Sequence, residues 1–464
     1  MPRITFALAT MLSFMAFTPV AAQDLQKGLV AAETGDYGAE TAKKESGISE
    51  KAEYAKIQNV ISNAVVSGDL RLAAGLFGNR NGELFNSTFE LIENKNKVAE
   101  KRDVIINIAS MTKLITTIAV LQLVEQGKID LDKEINVYLP ELSNLKILEG
   151  FEKKEPILTS PARLPFIREL ITHTSGYAYD FSNKLAAQAV ELDLVPSIFE
   201  DPQKALQMPL VFEPGSSFAY GISIDWLGIL VERVSGLRLD EFFRRNIFLP
   251  IEMSDTFFDI PPTKIERSAK IWIRSDMPVP SLFQRLALKV AAFLSGSDLV
   301  VGPSMLQPKT NADGSESIYL GGAGLYSTTS DYGKVLQMLL NEGQIFGNQV
   351  LSSETVDMMF QNHIGNLDFS PGDLDFSSMD FAFGEKAKWG LGFMLHPEGT
   401  KNGRNKNSAS WLGLFNSYFW VDREAGIYGV FASQLLPTFD KKFVKHLISF
   451  EKEIYNSSRH WTNN

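Results

Sequence analysis

"NIASMTKLIT", residues 107–116, sets a serine and a lysine three residues apart, Ser110 and Lys113. The same Ser-x-x-Lys spacing recurs at Ser143/Lys146 and Ser449/Lys452, so spacing alone does not choose a reaction centre. Context separates the three. A β-type run, "DVIINIA" (103–109), ends at Ala109; an apolar helical run, "TKLITTIAVLQLVEQG" (112–127), follows and stops at Gly127. Residues i and i+3 share a helix face, so Ser110 and Lys113 become neighbours on a first turn. The unpaired N–H groups of such a turn, with the helix dipole, favour a developing oxyanion. Within the apolar helix, burial of Lys113 favours an amine able to take a proton. Ser143/Lys146 instead follows Pro140 in a polar connection, and Ser449/Lys452 lies among charges on a terminal helix. Nothing at either place would hold the lysine against its serine. A capping serine followed by a lysine is also a common structural pairing, so on this stretch alone both readings stay open.

Outward from this stretch, helix and strand patterns alternate. "KAEYAKIQNVISNAVVSG" (51–68) carries Ile57, Val60, Ile61 and Val65 at helical spacing, and "LAAGLFG" and "ELFNSTFELI" flank an Asn-Gly turn. About 125–320 reads as mostly helical. In "SIDWLGILVERVSG" (223–236), Ser223 suits the N-cap, Asp225 the first turn and Gly236 the C-cap. "SLFQRLALKVAAFLSG" (281–296) is amphipathic, with Leu282, Phe283, Leu286, Val290 and Phe293 on one face. We expect that face to pack onto the helical part; a lid or a membrane-surface helix is the alternative. The β-type runs "GLGFMLH", "SASWLGLFNSYFWVD" and "IYGVFASQLL" then precede a last helix, "DKKFVKHLISFEKEIY". The order implies an α/β plus α architecture, an α/β domain with a helical domain inserted.

Composition narrows the function classes. The 464 residues include no cysteine, which excludes disulfides, a thiol nucleophile and thiolate metal sites. The net charge of −10, without a basic tract, repels phosphate backbones and argues against nucleic acid as a partner. There is no Gly-x-Ser-x-Gly elbow, His-Glu-x-x-His or phosphate-binding glycine loop. His173 in "LITHTSG" reads as a structural loop or cap residue. Asp368, Asp373, Asp375 and Asp380 read as a surface loop rather than a calcium site. Arg3, the apolar residues 4–17 and the small residues Val20-Ala21-Ala22 form the three parts of a secretory leader. We expect cleavage near Ala22 and an exported chain, periplasmic or secreted. A retained anchor is the alternative, although the run is shorter than the ~20 residues that span a bilayer. Residues 23–48 read as a polar arm.

Six motifs together resemble one family. "INIASMTKLITTIAVLQLVEQGKIDLDKEINVYLPEL", "LITHTSG", "FEPGSSFAYG", "DWLGILVERVSG", "GGAGLYSTTSDYGKVL" and "SASWLGLFNSYFWVD" stand in the order of the serine β-lactamase superfamily. The class C-like branch is most similar, and within it the family VIII carboxylesterases. The resemblance covers about residues 50–450. It implies the β-lactamase/penicillin-recognising fold, an antiparallel sheet flanked by helices. The α/β part would span about 49–124 and 320–464, and the mostly helical part about 125–319. By the same resemblance Ser110 is the nucleophile, Lys113 shares its proton, and Tyr220 is the second-motif tyrosine that passes protons to the leaving group or to water. The N–H groups of Ser110 and Leu414 form the oxyanion hole. Ile222, Trp411 and Gly413 border the substrate, Gly413 allowing close approach of an edge strand. Two positions depart from β-lactam-recognising enzymes: Ile222 replaces an asparagine, and Trp411 replaces the cation that holds a substrate carboxylate. A carboxylate left unpaired there is costly, so a neutral acyl chain fits better, unless Lys406 or Arg404 reaches in.

The expectation is an exported serine hydrolase that cleaves carboxylic esters through an acyl-enzyme, with no metal or organic cofactor. A small ester or amide is the expected partner, and the oligomeric state is left open. A β-lactamase or D-amino-acid peptidase with the same chemistry, and a non-catalytic scaffold in an inherited cleft, are the alternatives.

Overall fold

The computed structural model describes residues 46–92, 97–279, 282–308, 310, 318–369, 386–457 and 461, without the side chains of 46–50, 282 and 283. The leader, most of the polar arm, and Asp373, Asp375 and Asp380 lie outside the described residues. The helices that matter below are α1 (Ser46–Val66), α2 (Thr112–Glu125), α3 (Ser223–Ser235), α4 (Leu282–Ser295), α5 (Thr329–Leu340) and α6 (Lys441–Asn456). The main sheet contains β1 (Leu72–Asn79), β2 (Gly82–Ile92), β3 (Lys97–Lys101), β4 (Lys388–Trp389), β5 (Met394–His396), β6 (Ser408–Gly413), β7 (Ser417–Asp422) and β8 (Ile427–Ala432).

These eight strands pair antiparallel in the order β4-β5-β6-β7-β8-β1-β2-β3. Strands β1, β7 and β8 are buried along their whole length, which requires cover on both faces. A Cβ on Gly75 would meet Ile61 of α1 and Phe450 of α6, whereas Leu76, the next residue, touches α5 at Gly333. Successive strand residues point to opposite faces, so α1 and α6 cover one face and α5 the other. The sheet and its flanking helices are therefore those the motifs imply. Helix α2 has every residue from Thr112 to Leu123 buried; a helix apolar on all sides belongs in the centre of a fold.

Local readings succeed unevenly. The β1–β2 hairpin turns at Arg80 and Asn81, with Gly82 at φ +140°. "DVIINIA" yields only a two-residue strand, Ile106–Asn107, paired with Tyr326–Ser327 outside the main sheet. The chain has to leave strand geometry there, because Ala109 holds φ +44° just before Ser110. The helical middle also contains a hairpin, Ile147–Glu152 with Glu155–Thr159. The cap of α3 is Ile222, without a side-chain bond; Ser223 is inside the helix and bonds Ser175 Oγ at 2.8 Å. Gly236 closes that helix at φ +70°, as its position predicts.

The expected inward packing of the α4 apolar face is overturned. Leu286, Val290 and Phe293 are 58%, 48% and 86% exposed. The helix rests instead on Leu288, with Ala291 and Ala292, against a second hydrophobic cluster. Its small residues allow the close approach, and its bulky ones are left outside. The side chains of Leu282 and Phe283 lie outside the described residues.

Arg404 is not available to the substrate either. It is buried beside Glu451 of α6, with Nε to Oε1 3.4 Å apart, and Asn402 donates to the other carboxylate oxygen at 3.0 Å. Burial pushes the Glu451 carboxyl up, while Arg404 and Asn402 hold it down. Removing one partner of such a pair leaves an uncompensated buried charge. Glu451→Ala should therefore lower the unfolding free energy by about 3–5 kcal/mol, read by urea denaturation; a loss below about 1 kcal/mol would show that the pair is not buried as described.

Candidate active site

Ser110 stands in a one-turn 3₁₀ segment, Ala109–Met111, that runs directly into α2. Met111 N donates to Ile108 O at 3.0 Å, and the positive φ of Ala109 turns the chain so that Ser110 faces open space rather than the sheet. Non-glycine residues hold that conformation only where the surroundings impose it. Lys113 follows, fully buried. Its Nζ lies 3.3 Å from Ser110 Oγ, 3.1 Å from Tyr179 OH and 2.7 Å from Gly322 O. The other two pairs do not resemble this. Ser143 Oγ donates to Pro140 O and Lys146 Nζ to Ser160, while Ser449 bonds Lys445 O and Lys452 is exposed.

Tyr179, which the sequence analysis does not single out, and Asp225, which it reads only as a first-turn acid, complete the lysine's surroundings. The Tyr179 hydroxyl accepts from Lys113 and donates to Asp225 Oδ2 at 2.9 Å. Asp225 Oδ1 accepts from Gly322 N at 2.9 Å. Burial pushes the Tyr179 phenol well above its ordinary range, and the Asp225 charge pushes it further. It stays a neutral bridge. Burial also raises the Asp225 carboxyl, against the pull of Lys113 and the hydrogen bond from Tyr179. Gly322 meets both ends of this chain, by its carbonyl and its N–H; a Cβ there would sit 2.5 Å from Asp225 Oδ1. The sequence carries only partial signals for them: Tyr179 lies three residues past "LITHTSG", and Asp225 is an acid in the otherwise uncharged first half of its helix.

The remaining expected residues take definite places. Tyr220 is buried, with its ring centre 4.8 Å from Lys113 Nζ, and its hydroxyl accepts from Trp411 Nε1 at 3.3 Å. His173 is buried against the Tyr220 ring at 4.8 Å and against Trp389; burial, then the Lys113 charge, holds its pKa well below the usual value. It is a neutral packing residue. Trp411 joins an aromatic cluster with Trp389 and Tyr220, ring centres 4.6 and 5.1 Å away. Ile222 is buried at the start of α3. A Cβ on Gly413 would collide with the Ile108 carbonyl, so the close approach made there is of β6 to the turn that carries Ser110. Lys406 is exposed.

A cavity of about 370 Å³ opens at Ser110. Ser110, Tyr179, Asp225 and Leu414 line it, together with Phe181, Ile198, Phe199, Phe258, Ile318, Tyr319 and Leu320. Ser110 and Leu414 are thus on one cavity, whereas Lys113, Tyr220, Ile222, Trp411 and Gly413 are not among the residues that line it. Two carboxylates, Asp225 and Asp259, face it, and no lysine or arginine is among the described lining residues. Among the described residues no group of three or more histidines, aspartates and glutamates is placed to hold a metal.

Comparison with known proteins identifies the family. Residues 67–449 match the Beta-lactamase family. The chain is 31% identical to lovastatin esterase of Penicillium rubens over 378 residues, covering 79% of this chain and 88% of the esterase. It is 31% identical to monacolin J acid methylbutanoyltransferase of Aspergillus terreus over 361 residues, covering 75% and 81% of the two chains. The unliganded simvastatin synthase LovD of Aspergillus terreus superimposes with a TM-score of 0.71 at 27% identity, over 87% of this chain and 98% of that one. EstCE1, a hydrolase with promiscuous acyltransferase activity, shares the fold at a TM-score of 0.65, 19% identity and 88% and 100% coverage. With the family match spanning most of the chain, and Ser110 and Lys113 set side by side within it, the protein belongs to the Beta-lactamase family, among relatives that are esterases and acyltransferases of the serine-hydrolase fold.

Proposed function

We propose that the protein cleaves neutral carboxylic esters through an acyl-enzyme on Ser110. The observation that carries this reading is the 3.3 Å approach of Lys113 Nζ to Ser110 Oγ at the base of an apolar cavity. Lys113 Nζ donates to Gly322 O and Tyr179 OH, and in the reacting form its remaining position is the lone pair that faces the Ser110 proton. As Oγ attacks the ester carbonyl, that proton passes to Nζ. Asp225, one phenol away, stabilises the new ammonium. The carbonyl oxygen becomes an oxyanion beside the N–H groups of Ser110 and Leu414. Tyr220, whose ring borders the ammonium, hands a proton to the departing alkoxide. Water then attacks the acyl-enzyme by the reverse relay, and the acid leaves. An alcohol in place of water gives acyl transfer; the transferase relatives support that second acceptor.

Specificity follows from the charges. A cavity bordered by Asp225 and Asp259, with no cation on its described lining, disfavours an acyl group that carries a carboxylate. This supports esters over β-lactams and peptide C-termini.

Ester hydrolysis is tested with p-nitrophenyl butyrate beside a chromogenic cephalosporin. Turnover of the ester should fall roughly 10⁴-fold or more in Ser110→Ala, with little cephalosporin turnover by either protein; ester turnover unchanged in the variant would remove Ser110 from the mechanism. A p-nitrophenyl ester of succinic acid should react at least about tenfold more slowly than the butyrate, the cost of one unpaired charge. Equal rates would mean that a cation outside the described lining serves the site. The two tyrosines should separate in kcat. Tyr220→Phe removes the proton donor and should cost roughly 10²–10⁴-fold. Tyr179→Phe removes only hydrogen bonds that hold Lys113, and should cost about 10–100-fold with little change in KM. The reverse order would exchange their roles.

A further inference from the structure

Helix α4 turns outward the side chains that its sequence would bury. Leu286, Val290, Phe293 and Leu294 are 58%, 48%, 86% and 63% exposed. Other large exposed hydrophobics, such as Val66, Val137, Leu249 and Phe346, are scattered along the chain, whereas these four fall within nine residues of one helix. Scattered residues need no explanation; a continuous apolar stripe does. Arg285 and Lys289 are exposed beside the stripe, a local positive edge on a chain of net charge −10. An apolar face edged with basic residues is the arrangement of helices that lie in a lipid interface, apolar side chains in the acyl boundary and cations among headgroup phosphates. Among the described residues no helix is long and apolar enough to cross a membrane.

The position of α4 gives the stripe a direction. Its inner side chains Leu288, Ala291 and Ala292 pack in the cluster that holds Ala109 and Leu414, and both of those line the cavity at Ser110. Ile318, 51% exposed, also lines it. The outward stripe and the catalytic cavity therefore stand on two sides of one small apolar cluster.

We infer that α4 is a membrane-surface helix, seating Leu286, Val290, Phe293 and Leu294 in the interface of a phospholipid bilayer with Arg285 and Lys289 at its phosphates. Charge argues against a second copy as the occupant. A two-fold contact through this face would gather Arg285 and Lys289 of both copies at one seam, with no acidic residue on α4 to offset them, whereas phosphates complement them.

The lack of any cysteine makes a site-specific test available. Phe293→Cys in the full chain, labelled with an environment-sensitive nitrobenzoxadiazole, reports on the helix itself rather than on the N-terminal apolar run. Phosphatidylcholine vesicles containing phosphatidylglycerol should blue-shift the label at 293 and leave the same label at Phe346→Cys unchanged. Adding Leu286→Ser and Leu294→Ser should weaken the apparent vesicle affinity by about tenfold or more. Arg285→Gln with Lys289→Gln should weaken it roughly fivefold or more on the anionic vesicles, and much less on phosphatidylcholine alone. No shift at 293, or an equal shift at 346, overturns the inference. So does a blue shift at 293 that grows with protein concentration in the absence of lipid, which would make the face a contact between copies. None of these readouts uses turnover, so the result is independent of the ester-hydrolase reading.

Discussion

Lys113 is wholly enclosed, and an amine in that position must find a hydrogen-bond partner for each proton it carries or destabilise the fold. Its partners come from three separate parts of the chain: Ser110 one helical turn before it, Tyr179 from the connection after "LITHTSG", and Gly322 from the return into the α/β part. The fold has to bring those segments to one point. Burial of one amine therefore constrains where these segments meet, and it converts an ordinary Ser-x-x-Lys spacing into a site with a fixed geometry.

Close backbone approach is the second condition. Side chains at Gly322 and Gly413 would strike Asp225 and the Ile108 carbonyl respectively. The first contact lets a single residue serve both Lys113 and Asp225, by its carbonyl and its N–H. The second presses β6 against the 3₁₀ turn of Ser110, which helps to hold Ala109 at its positive φ. Glycine here sets backbone against a carboxylate at one point and against another backbone at the other.

Long periodic elements were legible because their pattern and their burial obey the same rule. Helices α2 and α6, the β1–β2 hairpin and the strands after residue 408 are all marked by apolar spacing and by turn residues. Short elements were not: "DVIINIA" looks like a strand by composition, yet the backbone demand at Ala109 cuts it to two residues. Amphipathicity located α4 but not the side it presents, because a hydrophobic stripe records which residues share a face and not what meets that face. Ser110 and Lys113 could be chosen from context. Tyr179 and Asp225 could not, since their meaning lies in contacts across sequence separations of 66 and 46 residues. Asp225 was assigned to the helix dipole, a valid reading of its first-turn position that leaves out its burial.

The phenol between Lys113 and Asp225 is the feature best suited to repeated proton transfer. A carboxylate in direct contact with a buried ammonium binds it strongly, and such a pair is hard to separate from its proton. Coulomb attraction falls inversely with distance, so inserting the Tyr179 hydroxyl, with hydrogen bonds of 3.1 and 2.9 Å on its two sides, roughly halves the attraction. Because burial and the neighbouring carboxylate keep Tyr179 neutral, it transmits the stabilisation of Asp225 without taking the proton itself. In the relay proposed above, a base that accepts a proton from Ser110 and returns it within each turnover needs that support without a direct ion pair.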